Sequence, residues 1–153
     1  LYHALAKALI FFAAGNVFLK YSTTKMRDVT GIMRTLPLTG PVLFVAFLAV
    51  LGLPPFGLFM TEFVMLSAGM AEYPWVVVGI LIALAVLFLG FFKQLVSLLF
   101  GKAPEGITVG ESNLFTQVPL VLLLGLLLCL SWYLPDTLRS LIELSAVSIS
   151  LNL

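Results

Sequence analysis

Charge is what this chain has least of. Only 10% of its 153 residues are charged, against 61% hydrophobic, where an ordinary soluble domain carries about 25% charged residues. So little polar surface cannot cover a water-facing globule. Cysteine is nearly absent as well: Cys129 stands alone, which excludes an internal disulfide, and its place inside an apolar run marks a small packed side chain. With one histidine, and no zinc-ligand spacing, P-loop, dinucleotide fingerprint or nucleophile–base motif, neither a catalytic residue nor a bound metal or cofactor is expected here. No basic run suits nucleic acid, and a net charge of +1 selects no partner. A starting methionine with a basic segment is missing too. The apolar helical pattern is already running at Leu1, so the sequence reads as the C-terminal part of something longer.

What the chain does have is long apolar stretches. A span of the hydrocarbon core takes roughly 20 apolar residues, and lipid offers backbone groups no partner, so helices are expected. The fold class is therefore all-α, a polytopic transmembrane helix bundle. Four segments emerge, at 1–19, 41–69, 75–100 and 118–134, and together they make up a membrane unit over residues 1–135. A tail over 136–153 places Leu138, Leu141, Ile142 and Ser145 on one helical face. It reads as a short C-terminal surface helix capped by Asp136. Ala13, Ala14 and Gly15 form a small patch suited to close helix approach.

Orientation follows from the basic residues. Lys20, Lys25, Arg27 and Arg34 lie in the first loop and Lys102 in the third, while the connection between the second and third segments has none. The positive-inside tendency puts the first and third loops in the cytoplasm. Tyr73, Trp75, Trp132 and Tyr133 then fall together on the outer side, as an interfacial aromatic belt would.

The second segment is too long for one plain span and is interrupted by Gly52-Leu53-Pro54-Pro55-Phe56-Gly57. Two consecutive prolines remove two backbone donors, and the glycines free the turn. The helix should stop near Gly52 and resume near Leu58, leaving unpaired backbone groups at roughly mid-membrane depth. Broken helices of this kind form ion sites in many transporters; the alternative is a proline kink packed against neighbours.

Four ionisable residues fall within the spans: His3, Lys7, Glu62 and Lys93. A charge at the bilayer centre costs about 2.5–3.5 kcal/mol on insertion scales, so such residues are rarely accidental. His3 and Lys7 are one helical turn apart on one face, fit for a proton relay or for a structural hydrogen bond. Glu62, in the helix that restarts after the break, can switch protonation beside reachable water or serve as a fixed counter-ion. Lys93 is close enough to the third loop to snorkel, so an interfacial anchor and a proton gate are equally open. Glu72, Glu105, Glu111, Asp136, Arg139 and Glu143 read as solvated.

The residues 3–16, His-Ala-Leu-Ala-Lys-Ala-Leu-Ile-Phe-Phe-Ala-Ala-Gly-Asn, resemble the His-x-x-x-Lys-Ala-x-x-Phe helix of the antiporter-like family. That family comprises the proton-pumping membrane subunits of respiratory complex I, the large Mrp antiporter subunits and the membrane arms of energy-converting hydrogenases. Thr24 to Gly31 resembles its Thr-x-x-Arg-Asp-x-x-Gly loop, and Gly52 to Phe59 followed by Glu62-Phe63 resembles its broken helix. The resemblance covers essentially the whole chain. It implies the last four helices of a 14-helix subunit built from inverted repeats, of which only the second repeat's interrupted helix is present. It also implies that Lys7 belongs to a central hydrophilic axis, that Glu62 terminates it, and that Lys93 matches a basic residue on the next helix. The subgroup most resembled is hydrogenase-4 component F, on the Phe-Phe-Ala-Ala-Gly-Asn run, Leu36 to Gly40, Phe56 to Phe59 leading to Glu62, and the short tail.

Three functions are open. One is a proton-translocating subunit of a membrane-bound nickel–iron hydrogenase (formate hydrogenlyase-like) or complex I-like assembly. In that assembly it would sit in a bacterial or archaeal inner membrane, against other membrane subunits and indirectly against hydrogenase and iron–sulfur subunits. The others are a Mrp-type sodium/proton antiporter subunit and a non-conducting structural subunit. The acid and lysine that the family's first repeat contributes are not in this chain.

Overall fold

The computed structural model describes residues 1–111 and 113–150, except for the side chains of Glu143 and 145–150. Among the described residues every regular element is helical: α1 (Tyr2–Tyr21), α2 (Ile32–Thr35), α3 (Thr39–Val50), α4 (Gly57–Glu72), α5 (Pro74–Phe100), α6 (Leu114–Trp132) and α7 (Asp136–Ser150), with a 3-10 turn at Met26–Asp28. By length and composition α1, α5 and α6 can each cross a membrane, and α3 is a shorter apolar helix. With α3 and α4 as the interrupted second segment, the architecture is the expected helical membrane bundle.

The ends follow local chemistry. α1 stops at Ser22, whose left-handed backbone (φ 53°) lets its N–H bond to Phe18 O at 2.8 Å. α3 starts at Thr39, before Pro41, because a proline is tolerated in a first turn that needs no N–H there. α5 opens on Pro74 in the position proline prefers, and Asn113 caps α6 by accepting from Phe115 N–H at 3.0 Å. Asp136 does not cap the tail helix as expected. The Pro135 carbonyl receives the first bonds, from the N–H groups of Leu138 and Arg139, and Asp136 sits in the first turn, where the helix dipole favours it. In α7, Leu138 is half-buried while Leu141 and Ile142 point outward. The side chain of Ser145, the fourth member of the expected face, and residues 151–153 lie outside the described residues.

α1 is the central packing helix, seated mainly against α3 and α6. Its buried stripe runs Ala6, Leu9, Ala13 and Val17, the spacing of one helix face. The small residues that admit close approach are thus Ala6 and Ala13; Ala14 is exposed, and a Cβ at Gly15 would meet nothing within 4 Å. α5 packs along α4, where Val77 is buried beside Gly69, and meets α3 toward its C-terminal end through Phe100 edge-on to Phe44 and Phe91 against Phe47. Most of its remaining apolar surface faces outward, as on a helix met by lipid or by further protein.

The two basic loops close over one end of the bundle. Lys20 Nζ donates to Gly110 O (2.8 Å) and Thr108 Oγ1 (3.2 Å), Gly110 N–H to Thr35 O (2.9 Å), and Thr30 Oγ1 to Lys102 O (2.6 Å). The aromatic residues Tyr73, Trp75, Trp132 and Tyr133 lie at the opposite helix ends.

Candidate functional site: the interrupted helix and the charges around it

α3 ends at Val50 and α4 begins at Gly57, so residues 51–56 form the break that two prolines and two glycines require. Gly52 has φ +66°, a conformation side chains avoid. Leu53 N–H reaches back to Leu48 O (3.2 Å) and Phe56 N–H to Leu53 O (3.1 Å), which satisfies part of the freed backbone.

The strongest geometric relation is between Gly52 and Glu62. A Cβ on Gly52 would fall on the Glu62 carboxylate, so that carboxylate lies directly against the backbone of the break. Glu62 is half-buried and lines a cleft of about 440 Å³ between the break, α4 and α5. The other walls include Val50, Phe59, Leu84 and Phe88, and Glu62 is the one ionisable residue among its lining. Apart from the turn's own backbone, the Glu62 carboxylate is the polar group this largely apolar cleft presents.

The far side of the break is held by residues that sequence reasoning passed over. Gly57 N–H donates to Ser131 Oγ (3.3 Å), which itself donates to Leu127 O (2.8 Å). A Cβ on Gly57 would land in the ring of Tyr2, whose hydroxyl donates to Leu130 O (3.0 Å). Tyr2 in α1 and Ser131 in α6 thus clamp the start of α4. Tyrosine and serine among apolar residues gave a weak signal, because each is ordinary near the end of a span.

On the α5 side, the break faces Leu81, Leu84, Leu87 and Phe88, in the middle of that 27-residue helix.

His3 and Lys7 share one face of α1, as their spacing requires, but that face is exposed and lies off the buried stripe. Neither lines the Glu62 cleft. Lys93 is exposed on α5, past the part of that helix that lines the cleft. The described residues therefore bring Glu62 and the break together and leave His3, Lys7 and Lys93 facing outward.

Glu111, expected to be solvated, is instead a structural acid. Its Oε1 accepts from the N–H groups of Leu38 and Thr39 (both 2.8 Å) and its Oε2 from Thr39 Oγ1 (2.7 Å). Thr39 Oγ1 in turn accepts from Nδ2 of buried Asn16 (3.2 Å), which also reaches Thr116 O (3.5 Å). The acid satisfies the free donors at the start of α3 and the field of its dipole. The capping signal was hidden because Glu111 lies 72 residues away in sequence from Thr39.

Comparison with known proteins agrees with this architecture. A family model described as NADH:quinone oxidoreductase/Mrp antiporter, transmembrane, matches residues 1–90. The hydrogenase-4 component F homolog of Methylacidiphilum infernorum (isolate V4) is 39% identical over 108 residues, covering 68% of this chain and 22% of the relative. NADH-quinone oxidoreductase subunit N of Desulforudis audaxviator (strain MP104C) is 30% identical over 94 residues, covering 61% of this chain and 19% of the relative. The chain spans about a fifth of the length of these curated relatives.

Proposed function

The chain belongs to the NADH:quinone oxidoreductase/Mrp antiporter transmembrane family, and on that premise we propose that it forms part of a proton-translocating membrane subunit of a hydrogenase-type or complex I-like redox complex. Residues 1–135 supply membrane segments of that subunit and 136–150 a surface helix. The complex sits in a bacterial or archaeal inner membrane, beside other membrane subunits and, indirectly, hydrogenase and iron–sulfur subunits.

The observation that carries the proposal is the Glu62 carboxylate resting on Gly52 inside a broken membrane helix. Glu62 gains and loses a proton as charges nearby change, and the turn at 51–56 gives water a polar backbone to follow. Lys7, with His3 a turn away, is the partner charge. Its outward face on α1 is the side on which the rest of the subunit would pack and desolvate it. Lys93 relays protons between the cleft and the basic end. Redox chemistry in partner subunits drives the charge movement.

The test uses the full-length protein in its complex. Glu62→Gln and Lys7→Met should each abolish redox-driven proton uptake into inverted vesicles, while the complex still assembles on a native gel. Vesicles that pump normally per assembled complex, with assembly itself reduced, would point to a scaffold. The matching family description also names Mrp antiporters, so a second reading is sodium/proton exchange without a redox partner. In that case a sodium gradient alone, with no electron donor, would drive the proton movement.

A further inference from the structure

The basic end of the bundle carries a second, separate pocket. Loop 22–38 and the loop after α5 meet so closely that a Cβ on Gly31 would stand 2.7 Å from Gly101 O and 2.8 Å from Ala103 N. The Thr30 Oγ1 bond to Lys102 O (2.6 Å) holds the two loops in register. Beside this junction lies a pocket of about 420 Å³ lined by Gly31, Met33, Arg34, Phe100, Gly101 and Lys102, among others. It has two cations, one on α2 and one in the loop after α5, and no carboxylate in its lining. Arg34 and Lys102 are exposed, and neither is spent on the loop junction, where Lys102 contributes only its carbonyl.

One wall is apolar, made by Met33 and Phe100, and Phe100 is the last residue of the long outward-facing helix α5. A ligand here meets two cations at the polar end and the greasy flank of a membrane helix directly beside them. Basic pockets at the cytoplasmic boundary between membrane helices take anionic lipid headgroups. A free phosphate would use the cations and leave the apolar wall idle, and so would most acidic protein loops.

We propose that this pocket binds the phosphate headgroup of an anionic phospholipid, with Arg34 and Lys102 on the phosphate and an acyl chain running along the Phe100 side of α5. The site is independent of the proton path, because it rests only on the loop junction and on which end of the bundle is basic.

The experiment titrates phosphatidylglycerol onto the detergent-purified full-length complex and counts bound lipid by native mass spectrometry. Phosphatidylcholine, glycerol phosphate and inorganic phosphate are parallel probes. Arg34→Gln and Lys102→Gln should each weaken phosphatidylglycerol binding about fivefold, the effect of one surface cation. Lys25→Gln, a cation of the same loop outside the pocket, should leave it unchanged, and Arg34→Lys and Lys102→Arg should retain it. Intact binding in both Gln variants overturns the proposal, and so does an equal loss in Lys25→Gln, which would mark diffuse attraction. Displacement of the lipid by inorganic phosphate or glycerol phosphate would show a plain anion site. Loss of a neighbouring subunit from the Gln variants, with lipid binding unchanged, would assign the pocket to an acidic protein partner. The conservative variants guard against misfolding, since they keep the charge on the same backbone.

Discussion

Glu62 lays its carboxylate on Gly52, across the turn that separates α3 from α4. Gly52→Ala therefore asks two things of the protein at once: an L-residue at φ +66° and room where the carboxylate stands. The backbone term costs about 1–2 kcal/mol, and the carboxylate must move. The melting temperature of the full-length protein should fall and proton uptake should drop with it. A variant that melts lower but pumps normally would show that the contact is incidental.

Gly57 and Tyr2 form a matched pair. Gly57→Ala forces a methyl into the Tyr2 ring and should cost about 1–3 kcal/mol. Tyr2→Phe removes the hydroxyl bond to Leu130 O and should cost about 1 kcal/mol. Tyr2→Ala combined with Gly57→Ala should be less damaging than the sum of the two single changes, because the ring that clashes is gone. Strict additivity in thermal melts would contradict the clamp.

Glu111→Ala removes the acceptor for two backbone N–H groups and one hydroxyl at the start of α3. A loss of about 1–3 kcal/mol is expected, with faster hydrogen exchange at residues 38–40. Glu111→Gln keeps acceptor capacity and should lose less. Glu105→Ala, an exposed acid of the same loop, serves as the control and should change neither readout.

Lys93 separates an anchor from a relay by one conservative change. Arginine snorkels as well as lysine but does not give up its proton. Lys93→Arg and Lys93→Met should both slow coupled proton movement if Lys93 belongs to the path. An anchor would tolerate Lys93→Arg with uptake unchanged.

Much of the molecule was legible before any coordinates, for physical reasons that are local. Lipid leaves a backbone no choice but helix, so composition and run length were enough for the fold class and nearly for the helix ends. Prolines 54 and 55 break a helix through their own missing donors, so the interruption needed no partner to be seen. Lys and Arg placement put the two basic loops at one end, where they are found joined by the bonds of Lys20 and Thr30.

Tertiary structure decided everything that depends on which helices are neighbours. Glu111 became a cap only because its loop folds over the start of α3. Tyr2 and Ser131 became the clamp on Gly57 only because α1 and α6 end beside it. Hydropathy is a property of each segment, whereas a hydrogen bond spanning 128 residues, as between Tyr2 and Leu130, is a property of their packing.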